Sequence, residues 1–154
     1  MSIESVRAFF AERGLDYPIL EFAESSATVE LAARALGAEP ELIAKTLAFS
    51  VNGSPILVLA KGDARVDNRK FKDEFGAKAK MLPPDEVLAI AGHPVGGVCP
   101  FGLANPIDVY LDVSLQAFEF VFPAAGGGNT AVKIAPAALQ QITGARWVDV
   151  CRGE

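Results

Sequence analysis

The sequence predicts an α/β fold of the α+β type: a mixed sheet flanked by helices, in a single domain over residues 1–154. Three observations lead there. The chain has 154 residues, 51% of them apolar and 21% charged, which is one domain's length with enough apolar material for a core. Its extended apolar segments come in pairs, and the clearest pair is joined by Asn52-Gly53. Helical patterns interrupt those pairs irregularly, so the order is not the βαβ alternation of a parallel sheet. No internal repeat and no linker divides the chain.

Taken in order, Ile3, Val6, Phe9 and Phe10 recur at helical spacing behind a capping Ser2, with Gly14 as the stop. Residues 19–23 read as a short strand. Thr28 caps a second helix through Val29, Leu31, Ala32, Ala35 and Leu36, closed by Gly37. Residues 39–42 form a further helical turn. Residues 46–51 and 55–60 are the two arms of a hairpin around Asn52-Gly53. A basic helix over 66–75 follows, with Asp67 as its cap, then a short strand near Lys80. Pro83-Pro84-Asp85-Glu86 opens a helix that ends by Gly92. After a glycine- and proline-rich loop over 92–102, strands are expected at 109–112, 119–122 and 130–135, with Gly126, Gly127 and Gly128 between the last two. A helix over 136–142, stopped by Gly144, and a strand over 147–151 complete the reading.

Composition excludes several classes. No apolar run approaches the ~18–20 residues of a membrane span. The opening Met1-Ser2-Ile3-Glu4-Ser5 has neither the basic start nor the apolar stretch of a signal peptide. Cys99 and Cys151 lack metal-ligand spacing and make no disulfide framework, so a reduced, cytoplasmic setting is expected, with no membrane partner. The net charge of −5 argues against a nucleic-acid partner, but the charges are unevenly spread. Lys61, Arg65, Arg69, Lys70, Lys72, Lys78 and Lys80 are seven of the 14 Lys and Arg residues. That segment is either a solvated helix surface or a local basic face able to dock RNA.

Familiar catalytic signatures are absent. His93 is the only histidine, and there is no HExxH, CxxC, phosphate-binding GxxxxGK[ST] or GxGxxG motif; neither a metal nor a cofactor is expected. Two features remain. In an extended segment Ile43, Lys45, Leu47 and Phe49 share one face, and a lysine among apolar neighbours is costly to bury without a partner. Lys45 is then either a site amine or a strand-start lysine whose stem packs while its amine reaches water. The loop Gly92-His93-Pro94-Val95-Gly96-Gly97-Val98-Cys99-Pro100-Phe101-Gly102 has a tightly specified path. Its exposed backbone groups suit either a structural connection or the holding of a carbonyl oxygen or oxyanion. Cys99 reads as a buried thiol, and His93 as a loop residue with a satisfied hydrogen bond.

Together these segments resemble the YbaK/EbsC family, which includes the editing domain of bacterial prolyl-tRNA synthetases and its free-standing relatives. The resemblance runs over nearly the whole chain. It rests on Lys45-Thr46-Leu47, on the Gly-x-x-x-Pro spacing from Gly96 to Pro100, and on Pro100-Phe101-Gly102. Ser26-Ala27-Thr28 before the second helix, Lys61-Gly62-Asp63 and the turn at Gly126, Gly127 and Gly128 support it. It implies a curved mixed sheet, a partial barrel, and a deacylase that removes small amino acids such as alanine or cysteine from mischarged tRNA, tRNA for proline above all. A prolyl-tRNA synthetase is an implied partner.

In those terms Lys45 engages the terminal adenosine's phosphate or the ester carbonyl. Gly96, Gly97, Val98, Cys99 and Pro100 hold the aminoacyl end through backbone contacts. Thr28, Val29, Thr46, Leu47, Phe101, Gly102, Gly127 and Gly128 are the expected substrate contacts, with Val29, Leu47 and Phe101 as pocket walls. Lys61, Arg65, Arg69, Lys70 and Lys72 are the expected tRNA-facing residues. Where some relatives have an acidic residue after the glycine turn, this chain has Ala131, which weakens transfer of a particular amino-acid specificity. The alternative function is a non-catalytic module that binds tRNA or a synthetase.

Overall fold

The computed structural model describes residues 2–94 and 96–152. Val95, inside the predicted glycine-rich loop, lies outside the described residues, as do Met1, Gly153 and Glu154. The helices are α1 (Ser2–Glu12), α2 (Val29–Leu36), α3 (Asn68–Phe75), α4 (Pro84–Ala91) and α5 (Pro136–Thr143). The strands are β1 (Leu20–Glu21), β2 (Ile43–Val51), β3 (Ser54–Lys61), β4 (Asp108–Asp112), β5 (Phe122–Pro123), β6 (Thr130–Ala131) and β7 (Arg146–Val148).

A five-stranded sheet in the order β5-β2-β3-β4-β7 curls into a half-barrel, and β1 pairs with β6 in a separate two-stranded ribbon. The sheet is mixed: β2 and β3 are antiparallel, while β2–β5, β3–β4 and β4–β7 are parallel. The hairpin turn has Asn52 at φ 50° and Gly53 at φ 84°. Two successive positive φ values are what a tight two-residue hairpin needs, and Asn-Gly tolerates them best.

The central strand β3 is buried on both faces, which is why 56–60 is an unbroken apolar run. On one face Leu59 joins Val6 and Phe10 of α1, Leu111 of β4 and Leu139 of α5 in the main core, and Leu57 packs with Val87 and Ala91 of α4. On the other, Ile56, Val58 and Phe49 meet Phe71 of α3.

Helix ends follow the sequence signals. Thr28 Oγ1 accepts the Leu31 N–H at the start of α2, and Asp67 accepts the Arg69 and Lys70 N–H groups at the start of α3. Gly37, Gly76, Gly92 and Gly144 close four helices in the left-handed conformation.

Four expected strands are shorter than the apolar pattern suggests, the first being residues 19–23, of which only Leu20–Glu21 form β1. Residues 119–122 yield the start of β5 and a bridge from Val121 to Ile134, and they follow a 3₁₀ helix, Val113–Ala117, that Asp112 caps through the Ser114 N–H. Residues 130–135 and 147–151 contribute β6 and β7 plus isolated bridges, Ile134 with Val121 and Cys151 with Val66. The segment near Lys80 is a bridge, not a strand: Met81 pairs with Phe49, Ser50 N–H donates to Lys80, and Leu82 N–H donates to Ala48.

Candidate functional site

β5 pairs with β2 only at Ile43 and Ala44, so the rest of that edge of β2 is open until Met81 reaches it. A cavity of about 250 Å³ lies along this gap. Ser26, Ala27, Thr28 and Val29, at the N-terminus of α2, form one wall. Met81, Leu82, Pro84 and Val87 form a second, and Gly96 and Val98 a third. The strand itself contributes Ile43, Lys45, Thr46 and Ala48.

Three backbone segments are locked together behind it. Ser26 N–H donates to the Gly128 carbonyl at 2.8 Å, and Gly126 N–H to the Gly97 carbonyl at 2.9 Å. Gly97 N–H turns back to the Pro94 carbonyl at 2.9 Å. Thr130 Oγ1 accepts from Ala125 and Gly127 N–H, both at 3.1 Å, and holds the triple-glycine turn in shape. The approach of these segments leaves no room for side chains. A Cβ on Gly97 would sit 2.6 Å from the Gly127 nitrogen, and one on Gly96 2.6 Å from the Ala27 Cβ. Gly96 also has φ 84°, so its presence at the cavity wall means bare backbone there.

Lys45 is half-buried, and its amine donates to the Ala64 carbonyl. An ammonium has three donors, and two of them have no hydrogen-bond partner among the described residues. Burial pushes its pKa down from the usual lysine value; Cys151 and Asp63 oppose that shift and Arg65 adds to it. Thr46 Oγ1 is buried with no protein hydrogen-bond partner among the described residues. Gly62 fixes the Lys61-Gly62-Asp63 segment beside this site: a Cβ there would lie 2.1 Å from the Pro40 carbonyl oxygen and 2.8 Å from Val29 Cγ1.

Of the residues singled out in the sequence, Lys45, Thr46, Thr28, Val29, Gly96 and Val98 line the cavity. The others stand elsewhere. Gly97, Gly127 and Gly128 shape the wall from behind through the contacts above. Cys99 is fully buried in the core, its thiol pushed up to about 12 by desolvation, so it supplies no thiolate nucleophile. Phe101 is buried against Phe9 and Phe10, with centroid distances of 5.8 and 4.9 Å, and is no pocket wall. Leu47 packs on the α3 side of the sheet with the Phe49 cluster, because its alternation carries it there. Pro100 and Gly102 face a different groove, shared with Phe9, Arg13 and Ile142.

Among the expected tRNA-facing residues, Arg65, Arg69 and Lys72 are exposed. Lys61 pairs with Asp63 at 3.5 Å and Lys70 with Asp149 at 3.1 Å, so part of the basic segment is neutralised locally. Not anticipated as site residues were Ile43, Ala48, Met81, Leu82, Pro84 and Val87. Only the expected strand near Lys80 hinted at the Met81 wall. Ser26 and Ala27 were visible as the segment before α2. Among the described residues, no helix is long and apolar enough to cross a membrane.

Comparison with known proteins identifies relatives of the chain and of its fold. Residues 23–142 match the aminoacyl-tRNA editing domain family. The protein YwhH of Bacillus subtilis is 48% identical over 154 residues, covering 99% of this chain and 98% of its own. EbsC of Enterococcus faecalis, named as a candidate Cys-tRNA(Pro)/Cys-tRNA(Cys) deacylase, is 28% identical over 142 residues, 90% of this chain and 87% of its own. A crystal structure of a candidate trans-editing enzyme for prolyl-tRNA synthetase superposes with a TM-score of 0.90 at 31% identity, covering 99% of this chain and 98% of that one.

Proposed function

The chain belongs to the aminoacyl-tRNA editing domain family, and from that premise we propose that it hydrolyses the ester joining a small amino acid to mischarged tRNA, with tRNA for proline as the first candidate. The observation that carries the reading is the cavity on the open edge of β2, where a lysine amine with spare donors, a buried hydroxyl and bare glycine backbone meet.

An aminoacyl ester is already activated, so the site needs mainly to orient it and stabilise developing charge. In this reading Lys45 donates to the ester carbonyl or to the terminal adenosine's phosphate, and the backbone at Gly96 and Val98 lies along the aminoacyl end. The N-terminus of α2 places a favourable dipole on the same cavity for a developing oxyanion. Water, assisted by the neighbouring ribose hydroxyl, attacks the carbonyl carbon; the ester C–O bond breaks and the ribose oxygen takes up a proton. No protein nucleophile is required. Val29, Ile43, Val87 and Val98 set the size limit, and size discrimination per methylene is worth only ~1–3 kcal/mol. The amino acid is therefore selected by fine shape together with contacts to the tRNA, for which Arg65, Arg69 and Lys72 are the exposed candidates, with Lys61 and Lys70 partly neutralised.

A panel of mischarged tRNAs tests the proposal, beginning with alanine and cysteine on tRNA for proline. Selective release of a small amino acid supports it. Binding of the panel with no release of any amino acid would leave a module that holds tRNA without hydrolysis.

A further inference from the structure

The loop that lines the cavity is held by a side chain outside it. His93 follows the Gly92 cap of α4 and is fully buried. Its Nε2 lies 2.7 Å from the Phe101 carbonyl oxygen, and this contact closes the loop carrying Gly96 and Val98 from end to end. The carbonyl is an acceptor, so Nε2 carries the hydrogen. The Cys99 thiol reaches the same oxygen at 3.7 Å. Nδ1 is buried with no hydrogen-bond partner among the described residues. The far anchor does not yield, since Phe101 is wedged between Phe9 and Phe10 and a Cβ on Gly102 would lie 2.5 Å from the Ser5 carbonyl oxygen.

We propose that His93 is a positioning residue for the cavity loop, a clamp that holds only while its imidazole is neutral with hydrogen on Nε2. This rests on the hydrolase reading above. Protonation would add an N–H at Nδ1, which has no acceptor among the described residues, and a charge at a fully buried position. Desolvation accordingly holds the imidazole below the usual 6.5. Cys99, 3.6 Å from Nε2, is the titratable group in contact, and its thiol stays neutral through this range. The charged groups on the neighbouring helices, Glu4, Arg7 and Glu12 on α1 and Asp85 and Glu86 on α4, are exposed. The sign follows: the open loop takes up a proton more readily than the closed one, so closure is fully present above about 6.5 and weakens as pH falls below it.

His93 is the chain's only histidine, so nitrogen NMR of one imidazole reads the tautomer and its titration directly. The proposal expects hydrogen on Nε2 at neutral pH. On acidification, the amides of Gly97 and Gly126 should lose exchange protection with the same midpoint as the imidazole, and deacylation should fall with them. His93→Leu should lower kcat by ~10²-fold, the size of a misplaced reacting group. His93→Gln, which keeps a donor near Nε2, should recover most of that loss and remove the acid limb of the pH profile. Hydrogen on Nδ1, or imidazole protonation with unchanged Gly97 and Gly126 exchange, would overturn the clamp, and both are read on the wild type should a variant fail to fold. If no mischarged tRNA is cleaved at any pH, the hydrolase reading falls instead, and the exchange data still decide whether the clamp exists.

Discussion

Individual atoms set the site's tolerances. At Gly96, φ 84° and a hypothetical Cβ 2.6 Å from that of Ala27 mean that alanine must displace either the loop or the wall before α2. Gly96→Ala should therefore lower single-turnover deacylation by ~10²-fold, the effect expected when a group near the reacting atoms shifts by an ångström, with the far-UV spectrum unchanged. Unaltered turnover would show that this backbone does not contact the reacting end. The residue scale is also where sequence reading was least complete. Lys45 and Gly96 were legible because a lysine in an apolar strand and a glycine-rich path are chemically conspicuous. Ala48, Leu82 and Val87 were not, since an apolar wall side chain looks like any core residue until its neighbour is missing. The resemblance put Phe101 and Leu47 in the pocket, but Leu47, although it shares a strand face with Lys45, packs into the Phe49 cluster under α3, and the aromatic cluster of α1 captures Phe101.

Elements succeed or fail as frames for those atoms. The caps at Thr28 and Asp67, the Asn52-Gly53 turn and the glycine helix stops were readable because each meets a local backbone requirement. The last strands were not, because their ends depend on tertiary bonds such as Asp112 to Val150 N–H and on the 3₁₀ helix it caps. The open edge of β2 arises the same way: β5 stops after two pairs, which no local pattern predicts. Gly62 joins these frames, lying under the Pro40 turn and against Val29. Gly62→Ala should destabilise the fold by ~1–3 kcal/mol, the usual range for overpacking, seen as a lower thermal midpoint. It should also raise KM, since Val29 must move. A midpoint equal to wild type would mean that the Pro40 turn yields freely.

At the scale of the whole molecule, the proposed function asks an acidic chain with net charge −5 to meet a polyanion. Arg65 follows Ala64, whose carbonyl holds the Lys45 amine, so the exposed basic segment begins beside the cavity. Lys61 and Lys70 already have acidic partners, which leaves Arg65, Arg69 and Lys72 as the exposed cations best placed to meet phosphate within the expected set. Reversing these three to glutamate should weaken tRNA binding and flatten its salt dependence by about one unit of log–log slope for each phosphate that is no longer neutralised. Unchanged affinity and slope would place the tRNA on another face. The arrangement of the curled mixed sheet around this cavity was legible only through the resemblance; periodicity alone indicated a mixed sheet and no curvature.

The most direct test of the central claim is single-turnover deacylation of alanine-charged tRNA for proline by wild type and Lys45→Ala, at saturating protein and with tRNA binding measured in parallel. The account predicts rapid release by wild type and a loss of ~10²-fold or more in the variant with the fold retained. Equal rates in the two proteins would contradict it, because the amine at the cavity would then have no part in the reaction.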